Sequence, residues 1–436
     1  MSLRRYRYAL ALAATILLAA PNAGAITLTL AGPEPESVSP AADLTSTIWA
    51  SAPDGAFVKI ATVGAIAPGG GKFSEMGVPA ISPDSRVIFG AEVTYADGAA
   101  RWEIFRGDLN GPAGRRVVRA IESSAAARGC VPNIKLDPRP VAGSNGAIAF
   151  IAPEASGSDA LFRYSDGELT CAARIGDRTA EGHRLTMMHF GSAAMAPSGE
   201  VAFIGRIDDA DSRTNSGAHP SSHLAMILAA PHGSLHEVAV EGSRRAGGAR
   251  YLANFSLPAV ASTPRGPIVA FTATNSRGSN SRGYGLYVFR GGKTVEVLDT
   301  SDRTPVGRVT YLSSGRPALS ASGSIVVLAA SAGRHAIFTI RDGHPALVVA
   351  PGHATEVGSR IVTFGDPVVS ASGQIMFGII DDDGRNLLYA INPGNVMRIS
   401  IPPVPYGELV GGLAPPAIVG PLVANEAGAF AFIGGN

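Results

Sequence analysis

Net charge is almost absent from this sequence. Its 436 residues carry 36 Lys and Arg against 35 Asp and Glu, a formal net charge of +1 at pH 7. No cationic face for nucleic acid is expected from that balance. Charge of either sign is scarce at 16%, below the roughly 25% of ordinary soluble domains. Cysteine occurs only twice, and without CxxC spacing, which excludes a thiolate zinc site. The G-x-S-x-G elbow, H-E-x-x-H, G-x-x-x-x-G-K-[ST] and a repeated Asp-box are missing too. No catalytic residue, metal or cofactor is therefore expected. Beyond residue 25 no apolar run reaches the roughly 20 residues that span a bilayer.

What remains is apolar and turn-rich: hydrophobic residues make up 46%, with 53 Gly and 31 Pro. The first 25 residues read as a signal peptide. Arg4, Arg5 and Arg7 precede an apolar run from Ala9 to Ala20, and Ala23-Gly24-Ala25 has the form of a cleavage site. Cleavage after Ala25 into a bacterial periplasm or the medium is expected. Residues 26–45, with Pro33, Pro35 and Pro40, read as a linker or strap, and 46–436 as a single domain. In an oxidising compartment Cys130 and Cys171 are expected to pair.

One phrase recurs along the chain: a small polar residue, two variable ones, a turn residue, then a short apolar strand. It begins at Ser82, Gly143, Ala196, Thr263, Ser320, Ser370 and Asn425, and typically ends in Ala-Phe, as at Ala149-Phe150, Ala202-Phe203, Ala270-Phe271 and Ala431-Phe432. Glycine there admits φ > 0, so each phrase is a tight hairpin. A second hairpin follows, on turns such as Asp166-Gly167 and Gly291-Gly292, between alternating aromatic and β-branched residues. Two hairpins make a four-stranded antiparallel unit, and radial repetition of such units describes a β-propeller. The seventh phrase ends the chain with no second hairpin behind it. An unpartnered second hairpin lies at the other end, Thr47–Ala61. A seven-bladed propeller whose last blade is closed by N- and C-terminal strands is the expected fold. A parallel β-helix is the rival, disfavoured by the two alternating hairpin types.

The last copy, Asn425-x-x-Gly428-x-x-Ala431-Phe432, resembles the signature of the bacterial exported NxxGxxAF tandem-repeat proteins. The other copies depart from it at the Asn position, and Ser85 and Val327 are further departures. The segment Val63–Gly71 resembles the link between repeats in that family, and the pattern is similar to TolB-like propeller blades. The resemblance implies a fold and export, and no activity.

In a propeller, ligands gather where loops meet at one mouth of the central channel, and three loops stand out for length. Residues 206–222 hold Asp208, Asp209, Asp211 and His219, with His223 directly after them, which suit a metal, an acid–base pair or merely a solvated loop. Residues 272–285 carry Arg277, Arg282 and Tyr284, able to grip a carboxylate or stack on a sugar. Residues 177–190 bring His183 and His189. Asp381 belongs to an acidic turn that lacks the register of a calcium loop. The expected role is a monomeric binding module for an unknown protein, glycan or envelope component. An exported hydrolase or lyase with a His/Asp site is the alternative, and a scaffold in a surface assembly a third reading.

Overall fold

The computed structural model describes residues 46–51, 57–109, 117–122, 130–208, 222–243, 250–277, 282–300, 302–331, 333–341, 343–355, 358–370, 372–384, 386–391, 398–400, 417–418, 422–425 and 429–435. The expected signal peptide and strap lie outside the described residues.

Each described phrase is a tight turn, and the four that begin with Ser or Asn are capped by that side chain. Its turn residue has positive φ, 97° at Gly199 and 82° at Gly323, and Ser85 adopts the same conformation at 60°. The first phrase residue accepts the N–H four positions on. Ser82, Ser320 and Ser370 do so through Oγ at 3.0, 3.1 and 3.1 Å, and Asn425 through Oδ1 at 2.9 Å.

The strands around these turns form seven antiparallel sheets in a ring, a seven-bladed propeller. Blades 1 to 7 are built on Arg86–Thr94, Ile148–Pro153, Val201–Asp208, Gly266–Arg277, Ile325–Ser331, Ile375–Asp381 and Phe430–Gly435. Every named strand pairing is antiparallel, and a 3-10 turn at Ser144–Gly146 is the one helical element among the described residues. The β-helix alternative is thereby overturned.

The closing aromatic of the phrase has a fixed partner. Across the first interstrand gap Phe89 faces Phe105, Phe150 faces Phe162, Phe271 faces Tyr287, Phe377 faces Tyr389 and Phe432 faces Trp49. Such directly opposed pairs are the unit of sheet stabilisation. Alternate residues feed alternate faces. Phe89 and Val87 enter a core shared with blade 7, while Ile88 enters one shared with blade 2. Seven such cores alternate with the seven blades. Burial on both faces explains why these strands read as continuous apolar runs.

Closure follows the expected plan. Ser46–Ser51 pairs with Phe430–Gly435, and Phe57–Thr62 forms the outer edge. Asn425 Nδ2 adds a second seam, donating to Ser82 O at 2.9 Å and Ser85 Oγ at 3.0 Å on blade 1. Cys130 and Cys171 are bonded, and both sulfurs belong to the core between blades 1 and 2.

Two stability predictions follow. Asn425→Ala, which loses a turn cap and buried inter-blade bonds, costs about 2–3 kcal/mol in urea unfolding. Ser320→Ala, which loses a cap within one turn, costs about 1 kcal/mol. The bridge closes a separation of 41 residues, so the double variant Cys130→Ala/Cys171→Ala loses about 4 kcal/mol in the chain-entropy picture. Adding reductant to the wild type gives the same loss.

Candidate functional site

The innermost strand of a blade is broken, and the break builds the channel. In blade 3, Arg184–Met188 and Ala194–Met195 both pair with Val201–Asp208, leaving the ladder between them. Blades 1, 4, 5, 6 and 7 repeat this arrangement. In blades 1, 4, 5 and 6 a proline, Pro79, Pro258, Pro317 or Pro367, stands just before the second piece; Pro140 holds the same place in blade 2, and blade 3 breaks at Gly191-Ser192-Ala193 without one. Proline has no N–H for the ladder and holds the residue before it away from helical conformation. The short second pieces touch one another in a closed ring and wall the channel.

Inside lies a cavity of about 370 Å³. Its wall is mostly apolar, with Leu257, Val260, Leu319, Val369 and Leu422 among the lining residues. Three charged residues interrupt it, Arg139, Arg316 and Asp366, each directly preceding a proline.

Arg316 is half-buried in this wall. Its Nη2 donates to Ala193 O at 2.8 Å, reaching from blade 5 past blade 4 to blade 3. Burial lowers its pKa from the ordinary 12.5 to about 10, so it remains a cation at neutral pH. It forms no ion pair among the described residues.

Arg139 is different. Asp137 accepts its backbone N–H at 3.0 Å and lies 3.8 Å from its Nε. That contact accompanies a left-handed backbone at Arg139, φ 43°, a strain of about 1–3 kcal/mol for a residue with a side chain.

The two aspartates seat alike. A Cβ on Gly77 would fall 2.2 Å from Asp137 Oδ1, and one on Gly315 would fall 2.2 Å from Asp366 Oδ2. Each carboxylate thus rests on a glycine of the preceding blade. Burial pushes both carboxyls upward. Hydrogen bonds to the backbone of Arg139 and Val78, and the charge of Arg139, oppose this at Asp137. Ser313 Oγ, at 3.3 Å, opposes it at Asp366.

Among the described residues, none of those expected from the sequence lines this cavity. His183 Nδ1 sits 2.6 Å from Glu237 Oε1, which also accepts the Thr179 hydroxyl at 2.5 Å. That cluster clips the link between blades 2 and 3 onto an outer strand. Burial, then the charge of Arg206, lowers the pKa of His189, and its Nε2 has no hydrogen-bond partner among the described residues. The same holds for Asp208 Oδ1. His223 is half-buried on Ser222–Ala229. Asp209, Asp211 and His219 lie outside the described residues. Asp381 is buried and accepts Ser359 Oγ at 2.7 Å, tying a link to blade 6 instead of opening to solvent. No group of three His, Cys, Asp or Glu among the described residues is placed to hold a metal.

Residues 272–285 need correction as a loop. Thr272–Arg277 is strand and pairs with Arg282–Leu286. Buried Asn275 explains the misreading: its Nδ2 donates to Tyr287 Oη at 3.0 Å and Glu296 Oε1 at 3.2 Å, a polar core that apolar patterning does not register. Arg277 and Arg282 stand on these strands, with side chains outside the description. The ring of Tyr284 meets Tyr311 edge-on at 5.4 Å, and Tyr311 stacks on His335 at 6.0 Å. No sequence motif marks Arg316 or Asp366. The one available signal was the recurrence of Pro before five of the inner strands, with charge at the preceding position in three of them.

The fold and channel define the chain as a seven-bladed propeller with a partly charged central cavity. It belongs to a family of unknown function, DUF7453, which matches residues 34–384. No curated protein matches it. Similar solved structures include a puromycin hydrolase, at 14% identity, TM-score 0.42, over 80% of this chain and 49% of that one. A puromycin-hydrolyzing peptidase of Mycobacterium tuberculosis gives 14%, 0.43, 80% and 47%. A Hadza microbial sialidase gives 14%, 0.35, 74% and 66%. The chain spans about half the length of the first two.

Asp366 generates a pH prediction. Its folded-state pKa is raised, so its contribution to stability is fully present in acid and is lost as pH rises through that value. Asp366 is open to the solvent of the channel, so at neutral pH its charge is a modest net cost. Asp366→Asn is expected to raise the unfolding midpoint at pH 7. The gain should shrink on acidification and vanish below the unfolded carboxyl pKa of roughly 3.9. Urea titrations of both proteins from pH 3 to 8 measure it.

Proposed function

We propose that this chain is an exported binding module that takes a small ligand into its central channel. The observation carrying this is Arg316, a half-buried cation without an ion-pair partner among the described residues, facing a cavity with a mostly apolar wall. Beyond its bond to Ala193 O, a hydrophobic residue would line the channel at lower cost, because desolvating a charge even in part costs free energy. The cavity falls within the range of small-molecule sites, roughly 300–1,000 Å³.

Export is part of the reading, and the disulfide Cys130–Cys171 supports it, since such bridges persist in oxidising compartments. Kinship with NxxGxxAF and TolB-like propellers is likewise our reading, resting on the capped turn that ends in Ala431-Phe432. A hydrolytic site in blade 3 is a second reading, favoured by the unpartnered Nε2 of His189 and Oδ1 of Asp208.

The channel is tested by plugging it. Ala424→Trp places a large ring among the lining residues. It should abolish at least about nine-tenths of the thermal shift produced by ligands from a metabolite panel, while the chain still melts cooperatively. Unchanged shifts in the plugged variant would sink the channel reading. N-terminal sequencing of protein recovered from the periplasm or medium should begin at Ile26.

A further inference from the structure

The ligand class can be read from the charges in the channel, given that the channel is the binding site. We infer that Arg316 anchors the carboxylate of a small amphiphilic monocarboxylic acid that also carries a hydroxyl or amino group.

A guanidinium offers five N–H donors in a planar fork that matches the two oxygens of a carboxylate. Arg316 spends one of them, on Ala193 O, and the remainder are directed at no carboxylate of the described chain. Arg139, the other lining cation, is already held by Asp137. One positive charge is therefore free for a ligand. A second negative charge on that ligand would meet Asp366, whose carboxylate rests on Gly315, the residue before Arg316. Phosphate esters and dicarboxylates are disfavoured on that ground, because two like charges brought close together on a mostly apolar wall repel.

Asp366 turns from obstacle to partner if the ligand brings a donor. Its carboxylate receives one bond, from Ser313 Oγ at 3.3 Å, and a hydroxyl or ammonium beside the ligand's carboxylate would supply another. The apolar body of the ligand then lies against Leu257, Leu319, Val369 and Leu422. Size agrees: a cavity of about 370 Å³ admits a short chain or a single ring.

The test is calorimetric titration of the purified protein with hexanoate, 2-hydroxyhexanoate, hexan-1-ol, hexylamine and inorganic phosphate. Hexanoate should bind at one site per chain and 2-hydroxyhexanoate more tightly. The alcohol, amine and phosphate should bind weakly or not at all. Arg316→Met keeps the volume and removes the charge. It should weaken both acids by about tenfold to a hundredfold, and Asp366→Asn should remove the advantage of the hydroxy acid. A melt of Arg316→Met at or above the wild-type temperature shows that the fold survives. Equal acid affinity in Arg316→Met, or phosphate outcompeting the acids, overturns the inference. Hexan-1-ol binding as tightly as hexanoate, and blocked by Ala424→Trp, overturns the anchor but leaves the channel reading standing. Failure of every probe, with Ala424→Trp equally inert toward the metabolite panel, overturns both.

Discussion

The pairing of Ser46–Ser51 with Phe430–Gly435 is the contact on which the rest of the ring depends. Every blade buries both faces against neighbours, so no blade is finished alone. Ile48 and Ala50 point into the core with blade 1, while Trp49, between them, enters the core with blade 6 beside Phe430 and Phe432. One six-residue strand thus completes two of the seven cores. It also closes a separation of 432 − 49 = 383 residues, counted between facing Trp49 and Phe432. The loop-closure term for such a span is about 5 kcal/mol beyond its constant. Burial of two large aromatics, each worth roughly 1.5–3 kcal/mol or more, together with the ladder itself, offsets it. An open ring would instead expose two sheet edges and two half-cores.

Much of this was legible in the sequence, because turns and orphans leave local marks. Gly199 and Gly323 punctuate because positive φ excludes most side chains. Phe89, Phe150 and Phe271 recur because each faces an aromatic across one strand gap. The hairpin at Thr47–Ala61 was readable as the missing half of blade 7 because nothing before it could pair with it. Residues 272–285 failed the same reading for a physical reason. Asn275, Tyr287 and Glu296 satisfy one another inside the sheet, so a buried strand carried the composition of a loop.

The candidate site was less legible. Long loops rich in Asp and His attracted attention because such groups are usual ligands. The structure employs two of them internally, His183 against Glu237 and Asp381 against Ser359. Arg316 and Asp366 lie more than forty positions apart, each beside a proline, and no spacing rule joins them. They meet because the same ladder break recurs in blades 5 and 6 and returns the same strand position to the same wall. A repeat architecture does this generally: equivalent positions become neighbours around the axis, so a site is assembled across repeats.

That origin bears on what the channel is for. At the position before the inner strand the ring places Val78 and Leu257 as well as Arg139, Arg316 and Asp366. Apolar residues there satisfy the fold at no electrostatic cost. Arg139 carries its own counter-ion two residues away and a strained backbone to hold it. Arg316 carries none, and Asp366 sits on a glycine that leaves no room for any other side chain. Two charges without an ion-pair partner on a mostly apolar wall lower stability modestly, and partial desolvation shifts both in the direction of neutrality. A group that brings opposite charge to Arg316 and a donor to Asp366 relieves both costs at once.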